Sequence, residues 1–115
     1  MATSLADLQM AMGKIHDYGA KIVIVTTGMK GSKLLFERKL YDVPACKPKN
    51  VRDPTGAGDA FIGAFLAEYV KGKDPVWCAC IGSASASFVV EGMGPDVFGE
   101  KEEIGARASK IYEKV

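Results

Sequence analysis

Residues 53–70 read DPTGAGDAFIGAFLAEYV, from Asp53 to Val70. The first seven are rich in turn formers, and residues 60–70 are apolar nearly all round, which predicts a buried helix opening directly out of a break. Gly56, Ala57 and Gly58 carry almost no side chain. Their backbone N–H groups can therefore converge on an anion at the start of that helix, where its dipole adds partial positive charge. Asp59 follows at once, placing a carboxylate in the first helical turn beside the position a phosphate would occupy. In phosphoryl transfer the protein mainly positions groups and stabilises charge, so one carboxylate that orients a hydroxyl and takes its proton suffices. Spacing alone leaves a plain glycine turn with a capping Asp equally open, because GxG is a weak signal.

Upstream, Ser4 and Asp7 resemble a capping arrangement, and Leu5, Leu8, Met12 and Ile15 then share one side of a helix that Gly19 can end. Residues 21–27 (KIVIVTT) are β-branched and bounded by turn residues, which predicts a strand buried on both faces of a partly parallel sheet. Residues 34–37 and 40–43, separated by Arg38 and Lys39, read as a hairpin or two edge strands. Downstream, Asp74 and Pro75 form an N-cap and first-turn pair for a helix that runs to about Val90 and stops at Gly92, Gly94 and Pro95. Its middle, residues 82–87 (GSASAS), is unusually small, which suits close helix packing and nucleotide approach equally. A last helix starts near Glu100, Glu102 and Glu103 and ends near Lys110 and Lys114, with Ile104, Ala108, Ile111 and Val115 on one face.

The 115 residues make one domain at most, and 48% hydrophobic with 25% charged residues is the composition of a globular protein with a core. Fifteen Lys and Arg against fourteen Asp and Glu leave a net charge of +1, so charge offers no argument for nucleic acid or an anionic membrane. The longest apolar runs are too short to span a bilayer, and the N-terminus lacks the layout of a signal peptide. Cys46, Cys78 and Cys80 are an odd count without metal-ligand spacing and read as reduced thiols, which with the absence of a leader predicts a cytoplasmic protein. His16 reads as a surface residue, and Phe61, Phe65, Trp77 and Phe88 as core. Lys30 and Arg52 read as solvated loop charges.

The string Asp53-Pro54-Thr55-Gly56-Ala57-Gly58-Asp59-Ala60-Phe61 resembles the C-terminal signature of the PfkB or ribokinase-like family of carbohydrate and nucleoside kinases, close to D-T-x-G-A-G-D-x-F. Residues 25–32 (VTTGMKGS) resemble the family's strand-end V-T-x-G-x-x-G. A weaker match joins residues 84–87 to Glu91, Gly92, Met93 and Gly94. The resemblance implies an α/β fold with a mainly parallel sheet covered by helices, and ATP-dependent phosphorylation of a sugar or nucleoside hydroxyl. It makes Asp59 the catalytic base and Gly56, Ala57 and Gly58 the anion hole. It maps nucleotide contacts onto Thr26 and Gly28, with Ser83 and Ser87 on the small-residue helix. Magnesium is implied on the phosphates, and potassium near Asp53, Thr55 and backbone groups of residues 92–94. Asp rather than Cys at position 59 is the pattern of the sugar and nucleoside kinases, not of the vitamin kinases.

Family members are roughly two domain lengths long and carry a sugar-binding N-terminal portion, a small β lid and an N-x-x-E motif, none of which this sequence contains. The chain therefore reads as the C-terminal nucleotide-binding portion of a kinase, residues 1–115 of it lacking the residues that choose the sugar. Such a portion is expected to be inactive alone and to expose apolar surface that promotes self-association. The alternative function is a nucleotide-binding or oligomerising module with no catalysis of its own.

Overall fold

The computed structural model describes residues 5–27, 31–46, 56–91 and 101–115. Helix α1 (Leu5–Asp17) leads into strands β1 (Ile22–Thr26), β2 (Ser32–Phe36) and β3 (Lys39–Val43), followed by helices α2 (Ala57–Tyr69), α3 (Pro75–Val90) and α4 (Lys101–Tyr112). Among the described residues no helix is long and apolar enough to cross a membrane.

The three strands form an antiparallel meander, with Ile24 opposite Leu34 and Leu34 opposite Tyr41. The period of two sorts their side chains between the faces. Leu35 and Val23 meet Met12 of α1 on one face, while Leu34, Phe36 and Val43 join the larger core beneath the other helices. The α/β architecture is as expected; among the described residues the pairings are antiparallel, and the expected parallel part of the sheet is not among them. Among the described residues strand β1 lies at an edge of the sheet and pairs with β2 alone, although its apolar sequence is that of an interior strand.

The hairpin reading of the second and third strands holds, with the turn one residue earlier than the charged pair suggested. Glu37 and Arg38 form a two-residue connection with φ of 51° and 63°, the left-handed backbone that normally selects Asn and Gly. Tertiary contacts hold it. The Arg38 N–H donates to His16 Nε2 at 3.2 Å and the Arg38 guanidinium pairs with Asp17, so the end of α1 braces the turn. His16 in turn donates from Nδ1 to the Ala20 carbonyl at 2.6 Å. It is thus a half-buried strut, not the free surface residue its place on the polar side of α1 predicts.

Helix α3 lies between α2 and α4 and is the most deeply buried element. Asp74 caps it by accepting from the Val76 N–H at 3.2 Å, and Pro75 occupies its first turn. Small residues on α3 let α2 come close: a Cβ at Gly82 would sit 3.0 Å from the Phe61 ring and carbonyl. Helix α2 is apolar all round as expected but is not buried all round. Phe61 and Phe65 are buried, whereas Ile62, Leu66 and Tyr69 are exposed. On α1, Met12 is buried and Ile15 is not. The expected face of α4 is present in Ile104, Ala108 and Ile111, and Val115 lies beyond the helix and is exposed.

Candidate active site

Helix α2 begins at a backbone turn that only a glycine makes cheaply. Gly56 takes φ 87°, ψ −5°, the left-handed region, and no side chain caps the helix. The first N–H groups of a helix have no partner within it. Here the residues that bear them are Ala57, Gly58 and Asp59, of which Gly58 and Asp59 are exposed and Ala57 is half-buried. A Cβ at Gly58 would meet nothing within 4 Å, so the space over this turn is open. Asp59 is exposed in the same turn. The expected anion hole and carboxylate therefore share one exposed helix N-terminus, with the dipole directed at it.

The V-T-x-G-x-x-G run lies at the β1–β2 connection. Thr27 closes that connection, its N–H and its hydroxyl both donating to the Gly31 carbonyl at 2.8 Å. Gly31 has φ 98°, and a Cβ there would lie 2.3 Å from the Val43 carbonyl oxygen. This glycine is required because the backbone after β3 runs across it. Thr26 is exposed at the end of β1 and lines an apolar groove of about 420 Å³ with Ile22 and Ile24 and with Phe61, Phe65 and Leu66 of α2. Asp59 and Gly56 to Gly58 do not line that groove. Gly28, Asp53 and Thr55 lie outside the described residues, as do Gly92, Met93 and Gly94.

Ser83 and Ser87, the expected nucleotide contacts on the small-residue helix, are both buried on α3. Ser87 Oγ donates to the Ala84 carbonyl at 2.6 Å and accepts from Arg107 Nη1 at 2.8 Å. Its hydrogen-bonding capacity is thus engaged within the protein. Arg107 also pairs with Glu91 at 2.9 Å and lies 3.9 Å over the Phe88 ring. Sequence reasoning missed this cluster, because Arg107 among the charged residues of α4 looks like any solvated side chain.

Among the described residues no three acidic, Cys or His groups converge. Burial raises the Cys78 thiol to about 11 and the Cys80 thiol to about 12, so neither is a nucleophile near neutrality.

Three comparisons bear on these features. The model of the pfkB family carbohydrate kinases matches residues 2–101. A nucleoside kinase of Methanocaldococcus jannaschii is 47% identical over 83 residues, covering 70% of this chain and 28% of its own length. A cytidine kinase of Thermococcus kodakarensis is 38% identical over 96 residues, covering 82% of this chain and 34% of its own. The crystal structure of a Methanocaldococcus jannaschii nucleoside kinase, an archaeal member of the ribokinase family, superposes with a TM-score of 0.69 at 35% identity over 96% of this chain and 38% of that one. The chain spans about a third of the length of the kinases it matches.

Proposed function

The chain belongs to the pfkB carbohydrate kinase family, and on that premise we propose that it is the nucleotide-binding and phosphoryl-transfer portion of an ATP-dependent kinase acting on a nucleoside or sugar hydroxyl. The observation that carries this reading is the turn at the start of α2. Gly56 bends the backbone so that uncapped helix N–H groups and the Asp59 carboxylate occupy one exposed position. The N–H groups of Ala57 and Gly58 receive the γ-phosphoryl group of ATP, and the helix dipole offsets the charge that develops on it. Asp59 orients the acceptor hydroxyl and takes its proton as the new O–P bond forms and the bond to ADP breaks. Bound with the nucleotide, magnesium neutralises phosphate charge. Potassium held through Asp53 and Thr55, and nucleotide contacts from Thr26 and Gly28, belong to the same proposal. So does a site in the cytoplasm, where thiols stay reduced. Ser83 and Ser87 contribute by letting α3 pack closely rather than by a free hydroxyl.

The edge of β1, unpaired among the described residues, and the apolar groove beside it support a second element of the reading. In the intact kinase the sheet continues past β1 into parallel strands, and the portion that recognises the acceptor lies on that side. The alternative, a nucleotide-binding module without catalysis, draws on the chain's spanning only a third of its relatives.

Calorimetric titration with MgATP tests the nucleotide half. Saturable binding that Gly56→Asp removes supports it, and no binding to the unmodified chain overturns it. ADP release in the presence of one nucleoside or sugar separates the kinase from the bare module. In an intact version of the kinase, Asp59→Asn should abolish that release, by a factor of at least about 100, with MgATP affinity unchanged.

A further inference from the structure

Ser32 opens β2 at the end of the V-T-x-G-x-x-G run and is 3% exposed. Among the described residues its Oγ alone is a buried side-chain polar atom with no hydrogen-bond partner. A buried hydroxyl left unpaired costs stability, so such a group calls for a reason. The backbone cannot carry it to a partner. The Gly31 carbonyl just before it is held by the Thr27 N–H and hydroxyl, both at 2.8 Å. Ser32 itself is fixed in the ladder between Thr26 of β1 and Val43 of β3.

The register identifies the neighbours of the hydroxyl. Residues directly opposite in antiparallel strands project from the same face with Cβ atoms about 4.5–5.5 Å apart, close enough for two hydroxyls to bond. Ser32 thus shares a face with Thr26, with Val43 and, two residues on, with Leu34. Of these only Thr26 can accept a hydrogen bond through its side chain, and a change of its χ1 is enough to bring the hydroxyls together. Thr26 is exposed. Phosphate oxygens accept, so a threonine hydroxyl that contacts one donates its proton to it and keeps lone pairs for a donor of its own. We propose that Ser32 is a positioning residue for the nucleotide: as Thr26 donates to a phosphate oxygen of ATP, the Ser32 hydroxyl donates to Thr26 Oγ1. The second bond orients and polarises the first, and the buried hydroxyl gains its partner only in the bound state. The inference rests on reading Thr26 as a nucleotide contact.

Calorimetric titration of the full chain with MgATP, paired with denaturant unfolding of the ligand-free protein, tests it. Ser32→Ala removes an unpaired buried hydroxyl and should unfold at the same or a higher denaturant concentration, yet bind MgATP about threefold to tenfold more weakly. A serine that only supports the fold would not weaken binding while leaving stability intact. Thr26→Val, which keeps the shape and loses the hydroxyl, should weaken binding as well, and adding Ser32→Ala to it should weaken it no further. Thr26→Ser keeps the hydroxyl and should keep the response to Ser32→Ala. Unchanged affinity in Ser32→Ala overturns the proposal. So does a loss of stability in that variant, or an undiminished effect of Ser32→Ala on the Thr26→Val background. Binding that Gly56→Asp removes and Ser32→Ala spares overturns this inference alone, whereas an unmodified chain that does not bind MgATP overturns the nucleotide reading and the inference with it.

Discussion

Two glycines outside the turn at Gly56 are required by what surrounds them. A Cβ on Gly31 would meet the Val43 carbonyl oxygen at 2.3 Å and the Ala45 nitrogen at 2.9 Å, on a backbone already at φ 98°. Gly31→Ala should cost more than about 2 kcal/mol of stability in denaturant unfolding, since strain and collision add. At Gly82 the neighbours are the Phe61 ring and carbonyl at 3.0 Å, in ordinary helical backbone. Gly82→Ala should cost about 1–3 kcal/mol, and because Phe61 is two residues from Asp59 it should also weaken MgATP binding. Gly63→Ala, with open space around it inside α2, is the control: it should leave MgATP binding unchanged and raise stability by about 0.5–1 kcal/mol.

At the scale of elements, α3 illustrates how a helix end is held from two sides. Asp74 Oδ1 accepts from the Val76 N–H, and Oδ2 accepts from the Tyr112 hydroxyl at 2.8 Å, tying the start of α3 to the end of α4. That hydrogen bond to Asp74 also raises the Tyr112 pKa. Asp74→Ala should lower stability by about 1–2 kcal/mol in chemical denaturation, and Asp74→Asn, which still caps, by less. Asp74 and Pro75 announced this helix start because their chemistry is local. The partnership with Tyr112, 38 residues away, has no local signature. The Glu37–Arg38 turn makes the same point in reverse: its residues argue against left-handed backbone, and contacts with His16 and Asp17 from another element overrule them.

Across the whole molecule, one side is less finished than the others. Ile62 is 56% exposed, Leu66 51% and Val70 81%, and the apolar groove against β1 adjoins them. Exposed apolar area of this kind drives association. Sedimentation velocity should show concentration-dependent self-association that Leu66→Lys reduces without loss of helical signal; a monodisperse, unmodified monomer would contradict this. The buried thiols set a limit at high pH. In the unfolded chain Cys78 and Cys80 ionise near their ordinary 9.0, whereas burial holds them protonated to about 11 and about 12 in the fold. Above pH 9 the unfolded state binds fewer protons than the native one, so stability is full below that pH and declines as pH rises towards 12. Thermal melts from pH 7 to 11 should show this decline. Replacing both thiols by alanine should flatten it.

What the sequence determined by itself was everything that depends on neighbours along the chain. The Gly56 to Asp59 turn, the Asp74–Pro75 start of α3 and the apolar face of α4 are written in contiguous or helically spaced residues. Their conformations follow from backbone freedom, capping and period. Only the tertiary structure decided which apolar surfaces find partners. Residues 22–26 and 60–69 are apolar enough to be covered on every side, but period and hydrophobicity do not say whether the covering element is at hand. Among the described residues the fold leaves β1 at a sheet edge and part of α2 in solvent. It likewise decided that Ser87 is enclosed and that Arg107 is a clasp. A hydroxyl or a guanidinium has the same chemistry on any helix, and burial against a partner distant in sequence sets what it does.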